Sequence, residues 1–112
     1  MTDYTPDKWL ILKITNTLKN ESHYRIFASW YGGYLGSDSW KMNSGITKVV
    51  EEGVRYFFEG TSGSIYNCRK ACYGANGYGS SVLSGLIEKS AKEGLLMAVL
   101  SEDVNPMELD YT

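Results

Sequence analysis

The sequence predicts an α+β fold: an antiparallel β-sheet of five or six strands, connected as a meander, with one main C-terminal helix packed on one face. Three observations carry this. Short apolar or alternating runs, divided by Gly-, Ser- and Asn-rich turns, fill most of the chain from Trp9 to Lys70. Near Ser80 the hydrophobic period changes once, from two to about 3.6. The whole chain is 112 residues, the size of a single domain. The reading is therefore one domain, 1–112, with 7–102 as the folded core and 1–6 and 103–112 as polar tails.

WLILKIT (Trp9–Thr15) is apolar, rich in β-branched residues and too short for a helix, so it reads as a buried strand. NTLKNES is turn-like. HYRIFASWY (His23–Tyr31) alternates, with Tyr24, Ile26, Ala28 and Trp30 on one face and Arg25, Phe27, Ser29 and Tyr31 on the other. Both faces carry aromatics, so both need cover. In so small a chain the expected second cover is another copy, hence a homo-oligomer, a dimer or a multiple of dimers. GGYLGSDS connects to WKMNSGITKVVEE (Trp40–Glu52), read as one strand with a bulge at Ser44-Gly45. GVRYFFEG (Gly53–Gly60) and GSIYNCRK (Gly63–Lys70) follow tight turns. SSVLSGLIEKSAKEG then places Val82, Leu83, Leu86, Ile87 and Ala91 on one helical stripe. Ser80 or Ser81 serves as N-cap, and Gly94 stands where a left-handed C-terminal residue belongs. Gly85 lies off the stripe. LLMAVLSE (Leu95–Glu102) reads as a returning strand.

The composition excludes several function classes. A net charge of −2 argues against affinity for duplex nucleic acid or an anionic membrane surface. No apolar run reaches the roughly 18 residues of a membrane span, and MTDYTPDKW has neither the basic flank nor the apolar stretch of a signal peptide. A cytoplasmic location follows, with Cys68 and Cys72 as thiols. These two cysteines and the single histidine, His23, make no metal-ligand set, and no metal or other cofactor is expected. His23 is also the only candidate general base and stands at a turn, away from any nucleophile. The acids cluster at turns and tails. No enzyme activity is expected.

What remains suits binding. SWYGGYLGSDSW (Ser29–Trp40) sets four large aromatics among glycines, serines and an aspartate, a mixture of neither core nor disorder. YGANGYGSS (Tyr73–Ser81) joins a strand to the helix, where free N–H groups and glycines suit a phosphate and Tyr73 or Tyr78 a base. The bland alternative is a strand–helix linker with a serine cap. The three arginines all fall in predicted strands, and the planar fork of Arg25 and Arg55 suits a diphosphate. Phe27 shares a face with Arg25. Trp40 is a further stacking candidate, Ser80 and Ser81 add hydroxyl and N–H donors, and Asn43 and Ser44 suit ribose hydroxyls. The expected ligand-binding set is therefore Arg25, Phe27, Trp40, Asn43, Ser44, Arg55, Tyr73, Tyr78, Ser80 and Ser81, for a small nucleotide-derived molecule. The alternative is an interaction domain, of the kind a phage uses to inhibit a host protein, that binds through its Tyr-, Gly- and Ser-rich loops.

The stretch ASWYGGYLGSDSWKMNSGI, followed by GTSGSIYNC and a closing strand, Gly-rich loop and helix, resembles small phage proteins of the type one Thoeris anti-defence family. The resemblance runs from about Trp9 to Leu100. It implies a non-enzymatic, oligomeric sponge in the host bacterial cytoplasm. Such a sponge sequesters cyclic ADP-ribose isomers made by TIR-domain enzymes, and in some members cyclic oligonucleotides, in pockets at subunit edges. It assigns no ligand contact to a particular residue of this chain.

Overall fold

The computed structural model describes residues 3–32 and 36–111. Among these, the strands are β1 (Asp3–Tyr4), β2 (Lys8–Asn16), β3 (Glu21–Trp30), β4 (Ser39–Met42), β5 (Ile46–Glu52), β6 (Arg55–Gly60), β7 (Ile65–Arg69) and β8 (Leu95–Val99). The helix α1 spans Gly77–Lys92, and Lys70–Cys72 and Pro106–Glu108 are 3-10 turns. The α+β class and the single main helix are as the sequence predicts. The strands, however, divide into two four-stranded sheets, ordered β1-β7-β6-β5 and β4-β3-β2-β8.

The division follows from the alternation in β2 and β3. Trp9 and Ile11, with Ile26 and Ala28, face the other sheet and pack on Ile46, Phe58, Tyr66 and Cys68. Leu10, Leu12, Ile14 and Phe27 face the opposite way and pack on Leu83, with Val82, Leu86, Ile87 and Met97 around them. The result is three layers, sheet on sheet on helix. Both faces of β3 are thus covered within one chain. The need for a second copy to cover it, inferred from its two aromatic faces, is removed.

Trp40–Glu52 is not one bulged strand. The chain leaves β4 in one sheet and enters β5 in the other across Asn43–Gly45. Gly45, at φ +132°, makes this bend, in a region L side chains rarely adopt.

The tails are also part of the fold. β1 pairs in parallel with β7, and the Tyr4 ring lies 5.0 Å from that of Tyr66. Pro106 is buried, and Tyr111 meets Tyr24 edge-on at 5.7 Å. Tyr4, Leu109 and Tyr111, in tails read as polar, pack against the inter-sheet core. No helix among the described residues is long and apolar enough to cross a membrane.

Candidate functional site

The helix begins a turn earlier than Ser80. Asn76 is the N-cap: its Oδ1 accepts from Gly79 N at 2.6 Å, and its Nδ2 donates to Trp30 O at 3.2 Å. Glycines read as loop enter the helix because one of them is needed there. A Cβ on Gly79 would lie 3.1 Å from Ser29 Cβ and 3.0 Å from Asn76 Oδ1, so only glycine lets α1 approach β3 this closely. Ser80 and Ser81 are exposed inside the helix rather than at its cap, and Ser80 N already donates to Asn76 O. Tyr78 is exposed on the first turn. The phosphate cradle expected of YGANGYGSS is therefore occupied in part by the protein's own cap.

The other expected contacts separate. In β6, Tyr56 and Phe58 turn to the core, so Arg55 shares the outer face of its sheet with Phe57 and Glu59. There Arg55 Nη1 donates to Asn67 Oδ1 at 2.9 Å. Arg25 lies opposite Leu12 on the helix side of the second sheet. Both sheets stand between the two guanidinium groups, so they do not share a diphosphate. Phe27 is fully buried and stacks on the partly exposed Trp40 at 5.6 Å and 15°. Asn43 is buried too, its Oδ1 accepting from Ile26 N at 2.9 Å while its own N donates to Ile26 O at 3.1 Å. Ser44 Oγ accepts from Thr61 Oγ1 at 2.6 Å and from Ser62 N at 3.1 Å. These three serve the β4–β5 crossover and the core. Gly33–Leu35 of the SWYGGYLGSDSW connection lie outside the described residues.

Tyr73 is the expected residue that does stand at a cavity. A hollow of about 130 Å³ opens where the 3-10 turn after β7 meets the segment after β8. Its walls include Trp9, Tyr56 and Tyr73, with Lys70 and Glu102 among its polar lining. Trp9, 2% exposed, meets Tyr73 edge-on at 4.8 Å and Tyr56 at 6.0 Å and 72°. The Trp9 indole donates Nε1–H to Arg69 O at 2.6 Å. The Tyr73 hydroxyl accepts from Ile11 N at 3.2 Å and donates to Leu100 O at 2.6 Å, which fixes the ring between β2 and the segment that follows β8. Burial, and secondarily the charge of Glu102, push its phenol above the ordinary range against the lowering effect of the Ile11 hydrogen bond, so it stays neutral at physiological pH. Lys70 Nζ stands 4.9 Å over the Tyr56 ring and 2.6 Å from Glu51 Oε2.

Trp9, Tyr56, Lys70 and Glu102 were not singled out from the sequence. Trp9 reads only as part of a buried strand, which it is, and Tyr56 only as part of the strand Gly53–Gly60. Only the meeting of β2, β6 and the C-terminal segment sets them beside a hollow, and no local pattern announces it. No protein-family model matches the chain, and neither does any curated protein or solved structure.

Proposed function

We propose that this protein binds a small, nucleotide-derived signalling molecule and holds it without chemical change. The observation that carries the reading is the cavity walled by Trp9, Tyr56 and Tyr73 with a lysine beside it. A hollow of about 130 Å³ takes one ring system and no more. A ligand that fits has a planar base to place against an aromatic wall and an anionic remainder that stays outside, near Lys70. A nucleotide has this division. The resemblance to type one Thoeris anti-defence proteins narrows the class to cyclic ADP-ribose isomers or cyclic oligonucleotides, sequestered in a bacterial cytoplasm during phage infection. Holding such a molecule asks for no nucleophile, general base or metal.

The test is calorimetric titration with a panel of cyclic ADP-ribose isomers and cyclic oligonucleotides. Mass spectrometry of what heat-denatured protein then releases completes it. Saturable binding and release of intact ligand support the reading; release of a cleaved product overturns it.

A second reading, an interaction domain, is favoured by Tyr31, Trp40 and Tyr78, all exposed and all near the β3–β4 connection or the first turn of α1. No binding across the panel, with capture of a host protein that a Trp40→Ala and Tyr78→Ala double variant loses, favours it instead.

A further inference from the structure

The two sheets end in four edges, and three are blunted. β1 has two residues, β4 has four and carries Lys41, and β5 carries Lys48, Glu51 and Glu52. β8 is different: LLMAV contains no charge and no proline, and Leu96 and Val99 are 52% and 45% exposed. Soluble proteins seldom leave a bare apolar edge unpaired, because its free N–H and C=O groups template another strand.

The direction of those groups can be read from the β2–β8 pairing. Thr17 N donates to Gly94 O and Leu100 N donates to Ile11 O, at the two ends of an unbroken antiparallel register. The main chain of Leu96 and Ala98 therefore points at β2, and that of Leu95, Met97 and Val99 points outward. Among the described residues nothing pairs with this outer side.

We infer that β8 pairs antiparallel with β8 of a second copy of this chain, about a two-fold axis at Met97, joining two four-stranded sheets into one. The occupant is a second copy because the edge complements itself. About that axis Met97 exchanges both main-chain hydrogen bonds with the partner's Met97, and Leu95 does so with the partner's Val99. On the face away from the helix, Leu96 packs on the partner's Ala98, covering the most exposed large apolar side chain of the strand. A charge within such a strand would stand near its own copy, and β8 has none. The flanks are complementary as well. Lys89 and Lys92, with Glu93 after them, lie before the strand, and Glu102 and Asp103 follow it. An antiparallel two-fold sets one end beside the other.

The experiment is light scattering coupled to size exclusion at micromolar concentration, on the whole chain. The expected result is a dimer that Val99→Pro converts to monomer with an unchanged circular dichroism spectrum. That proline removes an outward N–H and leaves every β2–β8 hydrogen bond in place. Val54→Lys, at an exposed turn residue of the other sheet, stays dimeric. A monomeric parent, or a folded Val99→Pro that remains a dimer, overturns the inference. Should Val99→Pro not fold, cross-linking decides. Residues 96 and 98 of opposite copies face each other as a non-hydrogen-bonded pair, within disulfide reach. The double variant Leu96→Cys, Ala98→Cys then gives a covalent dimer on mild oxidation that neither single variant gives. Its failure to do so overturns the inference.

Discussion

Arg25 donates its Nε–H to His23 Nε2 at 2.9 Å, along one face of β3. The bond requires a neutral imidazole with its proton on Nδ1. Burial, and then the Arg25 charge, lower the His23 pKa below its ordinary 6.5. The folded state thus binds fewer protons than the unfolded chain just below that value. The contribution to stability is present above pH 6.5 and is lost as pH falls through the folded pKa. Melting temperatures from pH 8 to 5 should therefore fall more steeply in the parent than in His23→Gln, whose amide oxygen can still accept from Arg25. Parallel slopes would remove His23 from the account.

Two glycines of α1 make opposite predictions. Gly85 faces open space, so Gly85→Ala should stabilise by up to ~1 kcal/mol through helix propensity alone. Gly79 has the same propensity to gain, but its Cβ would press on Ser29 and Asn76 at 3.0–3.2 Å. Gly79→Ala should destabilise, because β3 and the cap cannot both retreat. Chemical denaturation of the two variants checks this, and a stabilised Gly79→Ala would mean that the α1–β3 contact is looser than described.

The uneven legibility of the fold has a physical pattern. The helical stripe at Val82, Leu83, Leu86 and Ile87 and the two faces of β3 were readable because alternation and periodicity are local. The assignment of strands to two sheets was not, since Ser44-Gly45 looks the same as a bulge and as a crossover. Asn76 was passed over as cap because the glycines after it read as loop, and what requires glycine at position 79 is Ser29, far away in sequence. The candidate site shows the same limit. Tyr73 was chosen from its loop. The cavity beside it depends on the closing of the C-terminal segment over Trp9 and Tyr56, which no spacing reports.

Asn76 carries two duties, capping α1 and satisfying Trp30 O. Asn76→Ala should cost at least the ~1 kcal/mol typical of a lost cap, with more from the part-buried Trp30 carbonyl that loses the Asn76 amide donor. Asn76→Ser should recover the cap but not the carbonyl contact, and so fall between the two. A serine variant as stable as the parent would show that the Trp30 contact contributes nothing.

Leu83 is the buried centre of the helix–sheet layer, whereas Leu86 is half-buried at its margin. Leu83→Ala should cost about 2–5 kcal/mol, the range for a large side chain removed from a packed core. Leu83→Asp should not fold, as an unpaired charge in that layer has no partner. Leu86→Asp should be damaging but milder, since its carboxylate can reach water. A reversed order in urea midpoints would place the helix at a different rotation on the sheet.

The ligand reading makes its sharpest prediction by separating cavity residues from strand arginines. Stacking on an aromatic wall is worth ~1–3 kcal/mol per base, so Tyr56→Ala should weaken binding by about one to two orders of magnitude. Tyr56→Phe, which keeps the ring, should bind nearly as the parent does. Lys70→Met should lose affinity and flatten its salt dependence, because the lost contact is electrostatic. Arg25→Ala and Arg55→Ala should bind like the parent, one being tied to His23 and the other to Asn67 on the far face of the molecule. Titration of these five variants against the isomer that the parent binds best is the measurement. If the arginine variants fail while Tyr56→Ala and Lys70→Met bind normally, the cavity is not the site and the ligand lies on the outer faces of the sheets.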